Sequence, residues 1–154
     1  MANPIRISAV LWAAAWLGCA GGPKTTAVKA VTPDGFARDQ DGAGRETRFL
    51  SPDGVLFSVR AIPNKPPADL AFWKTALQTR MSQAGYRVLG DSMITVGGAE
   101  GSLLRLAAPL GRTDYLYLVA LSLRGKEIRV AEAAGEASLM KAREEAVLKA
   151  LAAP

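Results

Sequence analysis

The run Thr113–Leu123, TDYLYLVALSL, constrains the fold more than any other stretch of this chain. In an extended strand Tyr115, Tyr117, Val119, Leu121 and Leu123 share one side, and Leu116, Leu118 and Ala120 share the other. Both sides are apolar, so this strand requires cover on each face. The elements around it must therefore supply two further layers.

The flanking sequence provides them. Thr47–Ser51 and Val55–Ile62 are strand-like and are separated by Pro52-Asp53-Gly54, a tripeptide in which Pro presets the turn and Gly takes the left-handed position. The pair reads as a hairpin. The same tripeptide recurs at Pro33-Asp34-Gly35. After the proline-rich stretch at 63–67, Leu70, Trp73, Leu77, Met81 and Ala84 recur at helical spacing, with Lys74, Gln78 and Arg80 off the stripe. Asp69 complements the helix dipole at the start and Gly85 closes the helix. Phe72, beside Trp73, reads as a widening of the buried stripe, with an exposed aromatic for a partner as the alternative. Four extended stretches follow: Tyr86–Val96 with a bulge or kink at Gly90-Asp91, Gly101–Ala108, Thr113–Leu123 and Lys126–Ala134, joined at Gly97-Gly98, Pro109–Arg112 and Gly125. A second helix is expected over Gly135–Ala152, with Leu139, Ala142, Ala146 and Ala150 along one side and Val147 and Leu151 beside them. Short turns between neighbours make the strands antiparallel. The expected fold is an α+β, three-layer α/β/α sandwich: a mainly antiparallel central sheet of about six strands with one helix on each face.

Composition narrows the chemistry. The 154 residues include one cysteine and no histidine, so an intrachain disulfide is excluded and the commonest general base and metal ligand are missing. The formal net charge is +5, but no run of five or more Lys or Arg occurs, which argues against a dedicated nucleic-acid surface or polybasic membrane patch. Asp39-Gln40-Asp41-Gly42 has the start of a calcium loop, but Arg45, Thr47 and Arg48 stand where further oxygen ligands and a closing Glu are required, so it reads as a turn. No metal and no cofactor is expected.

The beginning of the chain carries an address. Arg6 precedes an apolar run of 11 residues, Ile7–Leu17, which is short of the roughly 20 that a spanning helix needs. Small residues follow, and Leu17-Gly18-Cys19 resembles the lipobox of bacterial lipoproteins, in which the signal is cleaved before the cysteine and the thiol is diacylated. Trp16 and Leu17 depart from that family's preferences. The resemblance implies a signal at 1–18, lipidation at Cys19, and a partner in the lipid bilayer, since two or more acyl chains hold a protein where one does not. Ala20 after the cysteine implies the outer membrane with the domain facing the periplasm. Cleavage after Ala20 with secretion, an uncleaved signal anchor, and retention at the inner membrane are the alternative readings. Residues 19–46 are rich in Gly, Pro, Thr, Asp and small side chains and read as the lipidated cysteine, a tether and the lead-in to a domain over 47–152.

The order of elements resembles the PsbP-like family, with DGF at 34–36, GVLFSVRAIPN at 54–64, a long helix from Ala68, GYRVLGD at 85–91, GGAEG at 97–101 and a last helix opened by Gly135. The resemblance spans about residues 34–152. PsbP is the extrinsic lumenal protein of photosystem II, and its bacterial relatives include small lipoproteins. The likeness implies scaffolding or docking rather than catalysis, and the metal ligands of photosynthetic members, histidine included, have no counterpart here.

Three functions are therefore weighed. The first is a docking or accessory subunit of an envelope protein complex. Arg60, Arg105, Arg112, Arg124, Lys126 and Arg129 are its candidate basic surface, set against a plain role in solubility and edge protection. The second is a small-ligand carrier, with Trp73, Tyr86, Tyr115 and Tyr117 lining a pocket between sheet and first helix. The third, and the weakest, is a carboxylate hydrolase using a pair such as Asp91 and Glu100. No catalytic residue is assigned, since Ser58 lies within a strand and Glu144-Glu145 read as a solvated helix face.

Overall fold

The structure is a computed structural model that describes residues 24–39, 44–108 and 114–153. The signal segment and Cys19, most of the Asp39–Gly42 turn, and Arg112 lie outside the described residues. The elements are β1 (Thr26–Ala27), β2 (Ala37–Asp39), β3 (Thr47–Leu50), β4 (Leu56–Pro63), α1 (Leu70–Gln83), β5 (Arg87–Val96), β6 (Ala99–Ala108), β7 (Tyr115–Arg124), β8 (Glu127–Glu136) and α2 (Ala137–Ala152).

One antiparallel sheet runs in the order β2-β3-β4-β8-β7-β6-β5, and β1 pairs with β4 beyond the end of β3. The two centre strands, β8 and β7, form full-length ladders, with Tyr117 opposite Ala134 and Val119 opposite Glu132. The sheet has eight strands rather than the expected six. Both additions come from residues 26–39, in the stretch read as tether and lead-in: β1 uses the upper part of the β4 edge, and the Pro33-Asp34-Gly35 turn, closed by Phe36 N–H donating to the Pro33 carbonyl (3.1 Å), aims β2 along β3. The second Pro-Asp-Gly turn makes the β3–β4 hairpin as expected, with Gly54 at φ +91°. The bulge in β5 falls between Val88 and Gly90.

The alternation in β7 divides the core as its sequence requires. On one face Leu118 and Ala120 join Phe49, Phe57, Val59, Leu103, Ala131 and Ala133 beneath Met140, Val147 and Leu151 of α2. On the other, Tyr117, Val119 and Leu121 join Leu104, Leu106, Ile128 and Val130 beneath Trp73, Leu77 and Met81 of α1. Burying one such aliphatic side chain contributes about 1.5–3 kcal/mol. Asp69 caps α1 by accepting from the Phe72 N–H at 2.8 Å. Phe72 itself does not widen the core: it is 53% exposed and meets Trp73 edge-on, since the buried arc of α1 is only as wide as Trp73, Leu77 and Met81. Gly101, at the start of β6, sits where a Cβ would fall 2.7 Å from both the Leu121 carbonyl oxygen and Val96 Cγ2.

Candidate functional site

α1 packs mainly over β5, β6 and β7, touches the Ile62, Ile128 and Val130 ends of β4 and β8, and leaves β2, β3 and the rest of β4 and β8 on that face without a helix. That area holds charged side chains that interlock across five strands. Asp39 of β2 pairs with Arg48 of β3 at 3.4 Å, and Arg48 reaches Glu46 at 3.7 Å. Glu46 stands 3.7 Å from Arg60 of β4, Arg60 is bonded to Glu132 of β8, and Glu132 accepts from the Tyr117 hydroxyl of β7 at 2.5 Å. Alternation dictates this placement: Arg60 and Glu132 each occupy a position whose neighbours two residues away, Ile62 and Val130, are core residues.

The inner half of this ladder is sealed. Arg60 is 5% exposed and Glu132 6%. Burial pushes the Glu46 carboxyl up, against the opposing pull of Arg60 and Arg48. Burial and the Glu132 carboxylate hold the Tyr117 phenol well above its usual range. Such a ladder fixes the register of β4, β8 and β7, because a slip of one residue sends either charge to the opposite face. It offers no open space for a reacting molecule beside Glu132.

The residues singled out in the sequence part company. Arg60 is in the ladder. Arg105 projects on the α2 side, where its Nε and Nη2 donate to Glu144 at 2.9 and 2.8 Å, so Glu144 is an ion-pair partner and not only a solvated charge. Arg124 and Arg129 converge over Gly97, and Lys126 stands in the same β7–β8 turn. Arg129 donates to the Lys29 carbonyl at 2.6 Å, and its guanidinium pKa is lowered by burial and by Arg124. Of the four aromatics proposed to line a pocket, Trp73 and Tyr117 are buried in the core; Trp73 Nε1 donates to Asn64 Oδ1 at 2.8 Å. Tyr86 leans on Tyr117 at 5.7 Å between ring centroids, and Tyr115 is half-buried at the start of β7. The groove of about 470 Å³ at the β2–β3 edge is lined instead by Gly35–Asp39 and Leu50–Pro52. Asp91 is paired with Lys74 of α1, while Glu100 lies opposite Thr95, four residues further along β5, so the two carboxylates are not brought together.

The exposed large apolar side chains include Leu89 (51%) and Met93 (57%) on β5, with Val88 beside them. β5 ends the sheet, so among the described residues its outer edge pairs with no other strand. A long edge strand with apolar side chains is a template for pairing with another chain.

Comparison with known proteins bears on the fold. No protein-family model matches the chain, and no curated protein matches it. Solved structures do. Cyanobacterial PsbP (CyanoP) from Synechocystis is similar at TM-score 0.56 and 13% identity, covering 88% of this chain and 95% of that one. LpqN of Mycobacterium tuberculosis, described as involved in cell envelope biogenesis, is similar at 0.53 and 13%, covering 87% and 83%. The Saccharomyces cerevisiae Ran-binding protein Mog1p is similar at 0.54 and 13%, covering 84% and 88%. The fold of this chain is PsbP-like.

Proposed function

We propose that this chain is a lipid-anchored, periplasm-facing accessory subunit that docks onto another protein of the cell envelope and performs no catalysis of its own. The observation that carries the docking half is the open edge of β5, ten residues long, with Leu89 and Met93 exposed. An extended segment of a partner adds to such an edge through main-chain hydrogen bonds, and exposed side chains on alternate positions supply selectivity. Anchoring at Cys19 raises the effective concentration of that edge at the membrane. The described role of LpqN in envelope biogenesis and of Mog1p in binding Ran lends the reading its class, protein–protein interaction, and no more. The interlocked Arg60, Glu132 and Arg105 argue against the earlier basic docking surface, because their charges are already satisfied within the domain.

The test is affinity purification of the tagged full chain from detergent-solubilised membranes. Wild type is expected to retrieve a defined partner, and Leu89→Lys/Met93→Lys is expected to lose it while remaining folded and membrane-bound. Equal recovery by both removes the β5 edge from the proposal. Cys19→Ala is expected to move the protein out of the membrane fraction, and undiminished pelleting with membranes refutes the anchor.

A further inference from the structure

The charge on this domain is polar along the strands. At the β7–β8 turn Arg124 and Lys126 flank Gly125, and both are exposed. The register brings more cations to the same end. Pro63 of β4 lies opposite Glu127, and the Asn64 N–H donates to the Lys126 carbonyl at 2.9 Å, which puts exposed Lys65 beside the turn. Thr26 pairs with Ala61 in an antiparallel ladder, so Lys24, two residues earlier, runs on past Ile62 toward that end. Arg129 and Lys29 complete the group on the α2 side, where the Arg124 and Arg129 guanidinium groups close over Gly97 in the β5–β6 turn.

These six cations stand against three exposed carboxylates at the same end, Glu100, Glu127 and Asp69, the last held there by Asn64, which bonds the Ala68 backbone before it. Lys149, in the last turn of α2, is 3.7 Å from Asp34, and that pair cancels. Among the described residues no carboxylate lies within ion-pair distance of Arg124 or Arg129. The opposite end carries Asp53, Asp114 and Glu136 with Arg80, Arg87, Lys141 and Arg143, an excess of one positive charge.

The basic end is also the end from which the chain leaves toward its amino terminus. Four residues lie between Cys19 and Lys24, so Lys24 is five residue steps from the cysteine. Five such steps span at most roughly 18 Å. We infer that the β7–β8 turn end is a membrane-facing surface that seats on the phosphate headgroups of an anionic bilayer, holding the sheet upright with β5 presented sideways to the docking partner. The inference rests on the proposed anchor only for bringing this end to the membrane; the charge complementarity is a property of the fold. Basic residues act on an anionic surface within about one Debye length, roughly 8–10 Å at physiological salt, so an end held this near experiences the attraction and the far end does not. Guanidinium groups suit phosphate oxygens because their fork donates two parallel hydrogen bonds.

The experiment uses the purified full chain incorporated into vesicles of phosphatidylcholine alone or with phosphatidylglycerol added. Flotation with neutral vesicles reads the anchor. Labelling by an amine-reactive acetylating reagent, resolved by lysine through mass spectrometry, reads the orientation. The expected result is flotation with both vesicle types, and slowing of Lys24, Lys65 and Lys126 labelling by about threefold or more on anionic vesicles only. Lys141, at the other end of the sheet, should label equally on both. High salt should abolish the protection, and Arg124→Glu/Lys126→Glu should remove it at Lys24 and Lys65 without changing flotation. Flotation with anionic vesicles alone refutes the anchor and leaves the seated surface standing. Equal labelling of Lys24, Lys65 and Lys126 on both vesicle types, with flotation intact, overturns the inference and leaves the anchor standing. Protection of those lysines only in complex with a co-purified protein overturns it too, and makes this end a protein contact.

Discussion

Replacing one member of the Arg60–Glu132 pair tests whether this ion pair is the sealed strut the geometry describes. Arg60→Met leaves Glu132 6% exposed with the Tyr117 hydroxyl as its remaining bonded partner, because Glu46 on the far side is itself a carboxylate. Leaving a buried charge uncompensated costs about 3–5 kcal/mol. Glu132→Leu strands Arg60 with Glu46 at 3.7 Å, a longer contact, and should cost about 3 kcal/mol, near the lower end of that range. The double variant Arg60→Met/Glu132→Leu removes both charges, so its cost should be smaller than that of either single change. What remains is the Tyr117 hydroxyl without its acceptor, about 1–3 kcal/mol, and adding Tyr117→Phe should recover most of it. Urea unfolding followed by tryptophan fluorescence gives the free energies, and the coupling term in the cycle should be several kcal/mol. In thermal unfolding the single variants should melt roughly 6–20 °C lower, at 2–4 °C for each kcal/mol in a chain of this size. Single variants that lose less than about 1 kcal/mol, or costs that simply add in the double, would refute the reasoning, because the pair would then behave as a solvated surface bridge.

Three further predictions follow from the same geometry. Because burial raises the Glu46 carboxyl, the native state holds this proton more tightly than the unfolded chain does, so the stability contributed by its protonated form is present at low pH and lost as pH rises through the folded value. Glu46→Gln should therefore gain on wild type between about pH 4 and pH 7, checked by urea unfolding at both; a gap that is constant or moves the other way contradicts it. Gly101→Ala should cost about 1–3 kcal/mol, since the methyl would collide with the Leu121 carbonyl, which the β6–β7 ladder holds in place; calorimetry reads the loss. Arg105→Met should cost no more than about 1 kcal/mol in urea unfolding, because its pair with Glu144 is partly exposed.

Much of the fold is written in patterns of period two and period three to four. β7 announces two covered faces through Tyr117, Val119 and Leu121 against Leu118 and Ala120, and the Trp73–Leu77–Met81 stripe supplies one cover. β1 and β2 are silent because two- and three-residue strands have no period to read; their pairing is decided by β4 and β3, far along the chain. Phe72 misleads for a related reason: adjacency to Trp73 says nothing about how wide the buried arc is. The charged ladder did leave a signal. Arg60 and Glu132 are single charges on the buried parity of otherwise apolar strands, which is unfavourable unless they meet, and the antiparallel order of β4 and β8 lets them. Parity sets Arg60 apart from Arg124 and Arg129; Arg105 shares their face and is set apart by its place along β6 and its pair with Glu144. The exposed β5 edge was not legible either, since which strand ends a sheet is a property of topology.

The central claim is that this domain works by presenting an open strand edge to a protein neighbour at the membrane. Photo-crosslinking from a benzophenone side chain placed at Met93, in the full chain within its own cells, tests it most directly. One discrete crosslinked product containing a second envelope protein, absent when the probe stands at Gly54 in the β3–β4 turn, is the predicted result. Crosslinks at position 93 to lipid alone, or the same products from both positions, would contradict it.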